Sequence, residues 1–147
     1  MAGLQLTVVS QKEELFSGEV DSVQAPGVEG QLGILPKHAP LITQLDFGEL
    51  RAQAGDEEYA FAIHGGFMHV LSDEVIVLAD VAERVEEIDI ERAKAARDRA
   101  LEMLKESPPP EERRLTEMAL RRSRVRLKLA RERRRRRPRR PEIRQSE

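Results

Sequence analysis

The chain has 147 residues, no cysteine, and a formal net charge of −2. That composition excludes a disulfide framework and a thiolate metal site, and the longest unbroken apolar run, residues 75–79, is far too short to span a bilayer. The total conceals a division: residues 1–87 hold 4 Lys/Arg against 16 Asp/Glu (−12), and residues 88–147 hold 21 against 11 (+10), so two modules with different partners are expected.

The first half alternates at period two. Leu4, Leu6 and Val8 point one way, and Gln5, Thr7 and Val9 the other. Because this pattern begins by Leu4, no signal or transit segment is expected. Similar runs follow at 20–25, 32–35, 41–45, 49–53, 59–63, 67–71 and 74–78. Turn signals separate them at Ser17-Gly18, Pro26-Gly27, Phe47-Gly48, Gly55-Asp56, Gly65-Gly66 and Ser72-Asp73. Residues 1–86 therefore predict an all-β sandwich of about ten short antiparallel strands. Within it, Gly30 to Leu41 is built like a contact surface: Leu32, Ile34 and Leu35 supply burial, while Pro36 and Pro40 end the run and present Lys37 and His38.

Near Glu87 the period changes to that of a helix, and residues 87–131 predict an antiparallel helical hairpin. Asp89 is suited to an N-cap. Ala93, Ala96 and Ala100 share a face that continues to Met103 and Leu104, so a second helix can approach closely. The segment Ser107-Pro-Pro-Pro110 stops one helix and starts another. On the second helix Leu115, Met118, Val125 and Leu129 form a heptad seam interrupted by Arg122. Beyond it, residues 132–147 hold arginine and proline with no apolar face, so a disordered tail is expected.

Four segments in register resemble the epsilon subunit of the F-type ATP synthase: Gly30-Gln-Leu-Gly-Ile-Leu-Pro-Lys-His-Ala-Pro-Leu41, Ile63-His-Gly-Gly-Phe67, Leu78-Ala-Asp-Val-Ala-Glu-Arg84 and Ile88-Asp-Ile-Glu-Arg-Ala93. The resemblance runs from about Leu4 to Leu129, and the arginine tail extends past the usual end of the family's second helix. It implies a non-catalytic rotor subunit of the central stalk, peripheral on the cytoplasmic face of a bacterial cell membrane. The sandwich would bind the gamma subunit and the c-ring. Gly30, Gln31, Lys37 and His38 would meet the ring, and the family commonly carries glutamate where this chain has Gln31. The hairpin would restrain ATP hydrolysis by reaching the alpha and beta subunits of the catalytic head. The resemblance also implies a regulatory ATP, held without hydrolysis by Glu83, Ile88, Asp89, Arg92, Ala93, Arg99, Arg122 and Arg126.

Other readings of the same residues stand beside these. A capped helix start would also give the 88–93 pattern, and Arg122 could snorkel or pair with Glu102 or Glu106. His38, His64 and His69 lie on different predicted elements with no ligand spacing, so packing or surface roles are expected and no metal site. The region 113–140 holds 15 Lys/Arg against Glu117 and Glu132, which raises an adaptor that binds nucleic acid. No aromatic interleaves with those arginines, so no base-stacking platform exists and nucleic acid is not the expected partner.

Overall fold

A computed structural model describes residues 3–136. Eight strands are present: β1 (Leu4–Ser10), β2 (Glu14–Val20), β3 (Ser22–Gly27), β4 (Gly30–Ile34), β5 (His38–Ala54), β6 (Glu57–Ser72), β7 (Glu74–Ala79) and β8 (Ala82–Arg84). A 3-10 turn, Val85–Glu87, leads to α1 (Ile90–Lys105) and α2 (Pro110–Arg136).

The predicted sandwich is observed, with differences in how its strands are cut. The runs at 41–45 and 49–53 are one 17-residue strand, β5, and those at 59–63 and 67–71 are one 16-residue strand, β6. Phe47-Gly48 and Gly65-Gly66 are therefore not chain reversals. They are corners, where two paired strands change face together while keeping register (Phe47 opposite His64, Leu45 opposite Gly66). Gly66 sits at φ +135°, and a Cβ there would lie 2.7 Å from the Cα of Ala79, so only glycine fits. One half of β6 pairs with β7 and the other with β8. The two layers thus share β5 and β6.

Ser17-Gly18 likewise lies inside β2, which the alternation did not predict. The sheet is also not wholly antiparallel, because β1 runs parallel to β7. In that register Leu6 lies opposite Val75 and Val8 opposite Val77, and all four are fully buried in the core. Matching these faces decides the pairing. Phe61, Leu50, Ile63 and Met68 complete the same core from the shared strands.

The hairpin forms as predicted, but α2 is rotated relative to the expected seam. Leu115 and Met118 are exposed, whereas Thr116, Leu120, Ser123, Leu127 and Ala130 are buried. Those five are spaced four, three, four and three, the period of one helix face, and α2 lies against α1, whose Ala93 and Ala100 are likewise buried. Thr116 and Ser123 are tolerated inside because each hydroxyl donates to the carbonyl four residues earlier, on Glu112 and Ala119.

A second stripe of α2, at positions 122, 126, 129, 133 and 136, faces the sandwich. Leu129, with Ala130 and Val125, joins Ala60, Ala62, Val85 and Ile88 in a small cluster separate from the main core. The helix continues through Arg136, so the disorder expected from residue 132 does not hold for 132–136. Sandwich carboxylates replace the missing apolar face: Arg133 approaches Glu58 and Glu86, and Arg136 approaches Glu49. Residues 137–147 of the expected tail lie outside the described residues.

Candidate functional site

The site arises where three small residues let elements close together. β8 pairs with β6, setting Glu83 opposite Ala62. Ala96 on α1 and Ala119 on α2 leave room in front of it. The resulting cavity, about 280 Å³, is lined by His64, Val81, Ala82, Glu83, Ala96, Ala119, Arg122, Ser123 and Arg126. That volume sits near the lower edge of roughly 300–1,000 Å³ for small-molecule pockets.

Arg126 binds Glu83 with both prongs: Nε at 2.5 Å from Oε1 and Nη2 at 3.3 Å from Oε2. This bidentate form fixes the guanidinium plane. Arg122 is half-buried beside His64, and no carboxylate lies in ion-pair range of it among the described residues. The alternative pairing with Glu102 is not made, since Glu102 binds Lys105. His64 is 3 % exposed and stacked edge-on against Phe47, with ring centroids 5.3 Å apart. Its pKa is pushed down to about 4, first by burial and then by Arg122 and Arg126.

The eight residues expected around a nucleotide are therefore divided. Glu83, Arg122 and Arg126 come together. Asp89 caps α1, its carboxylate accepting the Arg92 backbone N–H at 3.2 Å. The Arg92 side chain is 87 % exposed and 3.7 Å from Asp89. Ile88 and Ala93 are buried in packing. Arg99 is exposed on α1. Of the four arginines that the resemblance implies, two reach the cavity: Arg92 and Arg99 are exposed and neither lines it, although Ala96 between them does.

The four residues expected at a ring contact also occupy two places. Gly30 and Gln31 stand in a groove against Val125, Lys128 and Leu129 of α2. Lys37 has φ +62° and donates its backbone N–H to the Asp73 carboxylate at 2.8 Å, while His38 pairs with Ser72 at the far end of β5.

His64, Ala96 and Ser123 are site residues that sequence reasoning missed. A lone histidine, an alanine and a serine carry no spacing signal, although Ile63-His-Gly-Gly was a recognised motif. A further face is apolar and open. Ile42 (72 % exposed), Phe67 (54 %) and Leu78 (55 %) lie on adjoining strands of the outer sheet surface, with Phe67 directly opposite Leu78.

Family models match both halves: the ATP synthase delta/epsilon chain beta-sandwich domain over residues 3–85, and the corresponding long alpha-helix domain over residues 86–131. Curated ATP synthase epsilon chains from Dehalococcoides mccartyi and Moorella thermoacetica are 52 % and 46 % identical, covering 91 % and 88 % of this chain and 96 % and 98 % of theirs. The chain belongs to the epsilon family of bacterial F-type ATP synthases. An epsilon chain is a non-catalytic component of the central stalk. A chain of the Euglena gracilis mitochondrial ATP synthase (OSCP/F1/c-ring) is 30 % identical with a TM-score of 0.71, covering 82 % of this chain and 76 % of that one. A central-stalk/c-ring chain of the Tetrahymena thermophila enzyme, 16 % identical over 58 % of this chain and 69 % of its own with a TM-score of 0.50, shares the fold alone. The epsilon long-helix match ends at residue 131, whereas α2 here continues to Arg136. Among the described residues no helix is long and apolar enough to cross a membrane.

Proposed function

We propose that this epsilon chain transmits c-ring rotation to the gamma subunit and restrains ATP hydrolysis with its hairpin. The observation carrying the second role is the separation of the hairpin's cluster from the sandwich core. The hairpin is held by that small cluster and by side-chain ion pairs, so it can leave without opening the core. Released, its basic α2 would reach the alpha and beta subunits of the head.

The open apolar strip of Ile42, Phe67 and Leu78 fits a permanent partner, and we assign it to gamma. Gly30, Gln31, Lys37 and His38 are assigned to the ring, which would put the subunit on the cytoplasmic face of a bacterial membrane, touching lipid only through the complex. The Euglena assembly that the chain resembles contains F1 and a c-ring.

A regulatory ATP would place phosphate oxygens beside Arg122 and Arg126 and favour the folded hairpin, since a ligand biases an equilibrium only through unequal affinity for the two states. Ile88, Asp89 and Ala93 would take the remainder of the nucleotide after local opening. An adaptor for nucleic acid fits less well, because Arg121, Arg126, Arg133 and Arg136 turn toward sandwich carboxylates.

The test is an enzyme reconstituted with this chain cut after residue 87. ATP synthesis should persist and hydrolysis should rise. Unchanged hydrolysis would remove the brake from the proposal.

A further inference from the structure

The donors around the cavity do not add up to a site for a polyanion without one more group. Arg126 is committed to Glu83. The single Ser123 proton is committed to the Ala119 carbonyl at 2.9 Å. That leaves Arg122 and the imidazole of His64. Neither ring nitrogen of His64 has a hydrogen-bond partner among the described residues, although its backbone N–H is held by the Val81 carbonyl at 2.9 Å. A buried polar ring left unpaired is costly and calls for an explanation.

We propose that His64 is a further ligand-binding residue of this cavity, hydrogen-bonding an anionic oxygen that enters beside Arg122 and taking up a proton as it does so. This rests on the nucleotide reading given above. A neutral imidazole offers one donor and one acceptor, and the acceptor is mismatched to a phosphate oxygen. The imidazolium offers two donors. The charges facing the ring now oppose protonation: Arg122 and Arg126 from α2 outweigh Glu83 of β8, which is already neutralised. α1 contributes only uncharged Ala96, and β5 contributes the Phe47 ring. Asp80 lies against the neighbouring Gly65, and Asp46 is taken by Arg121. A bound polyphosphate reverses that balance. Binding at this site is therefore coupled to proton uptake and strengthens as pH falls.

The experiment follows His64 itself, because ATP titrates near neutrality too. Ring nitrogen shifts of the full chain are recorded between about pH 4 and pH 8, with and without saturating ATP. His64→Asn assigns the resonance among the three histidines. The expected result is an upward move of the His64 midpoint by about one pH unit or more on adding ATP, with a His64→Asn affinity that no longer rises on acidification. ATP bound with an unmoved His64 midpoint overturns this inference and leaves the nucleotide site standing. No bound ATP overturns both.

Discussion

Arg136 reaches from the last described turn of α2 to Glu49 of β5, its guanidinium 3.2 Å from the carboxylate. Glu49 also holds Arg51 at 2.8 Å and is largely shielded from water. One turn earlier, Arg133 approaches Glu58 and Glu86. Together these pairs pin the part of the helix that lies past the family match.

Substituting both cations, Arg133→Ala with Arg136→Ala, should loosen that end. Partly exposed pairs contribute roughly 0.2–1 kcal/mol each, so opening should increase several-fold. Hydrogen exchange of α2 amides would measure it. Raising the salt concentration should bring the parent protein toward the variant, because exposed pairs are screened.

Removing Arg122 should weaken ATP binding more than removing Arg99, because Arg122 lines the cavity and has no carboxylate partner among the described residues. A charge-assisted hydrogen bond is worth about 1.5–3 kcal/mol, or roughly 10- to 100-fold in affinity. Arg99→Ala should bind as the parent does, since Arg99 is exposed and does not line the cavity. Calorimetry distinguishes the two, and equal losses would argue against the cavity as the phosphate site.

Acid should destabilise the folded chain through His64. The unfolded imidazole takes a proton near its ordinary 6.5, and the folded one only near about 4. The unfolded state therefore binds more protons below 6.5, and stability is lost as pH falls from there toward 4. The loss approaches about 3 kcal/mol at the acid end. Denaturant midpoints across that range should fall less steeply in His64→Asn. A parallel fall would point to other groups.

Gly66→Ala should be strongly destabilising. The positive φ alone costs more than about 1 kcal/mol, and the added carbon would press on Leu78 and Ala79 of β7. A clear drop in thermal midpoint is expected. Gly55→Ala should cost only the conformational part, because nothing lies within 4 Å of a Cβ there.

The alternation of Leu4, Leu6 and Val8, and of Val75 and Val77, was legible because these residues are half-buried strands of one core. The fusion of four runs into β5 and β6 was not, since a glycine corner and a glycine turn look alike locally. The seam of α2 was misread because only apolar residues were weighed, while Thr116 and Ser123 silence their own hydroxyls and pack like small hydrophobes. Arg122 was legible as the cation interrupting the seam of α2, whereas Glu83 came only through the family resemblance. His64 was missed because its meaning lies in what it fails to touch.

The parallel pairing of β1 with β7 has a consequence for biosynthesis. Gln5 finds its partner in Glu74, 69 positions later. During synthesis β1 must therefore wait for β7, while its other edge can close early on β2. Sheets made by such distant pairings assemble slowly. A nascent chain stalled before residue 74 should stay sensitive to protease, and one extended past 79 and clear of the exit tunnel should become resistant.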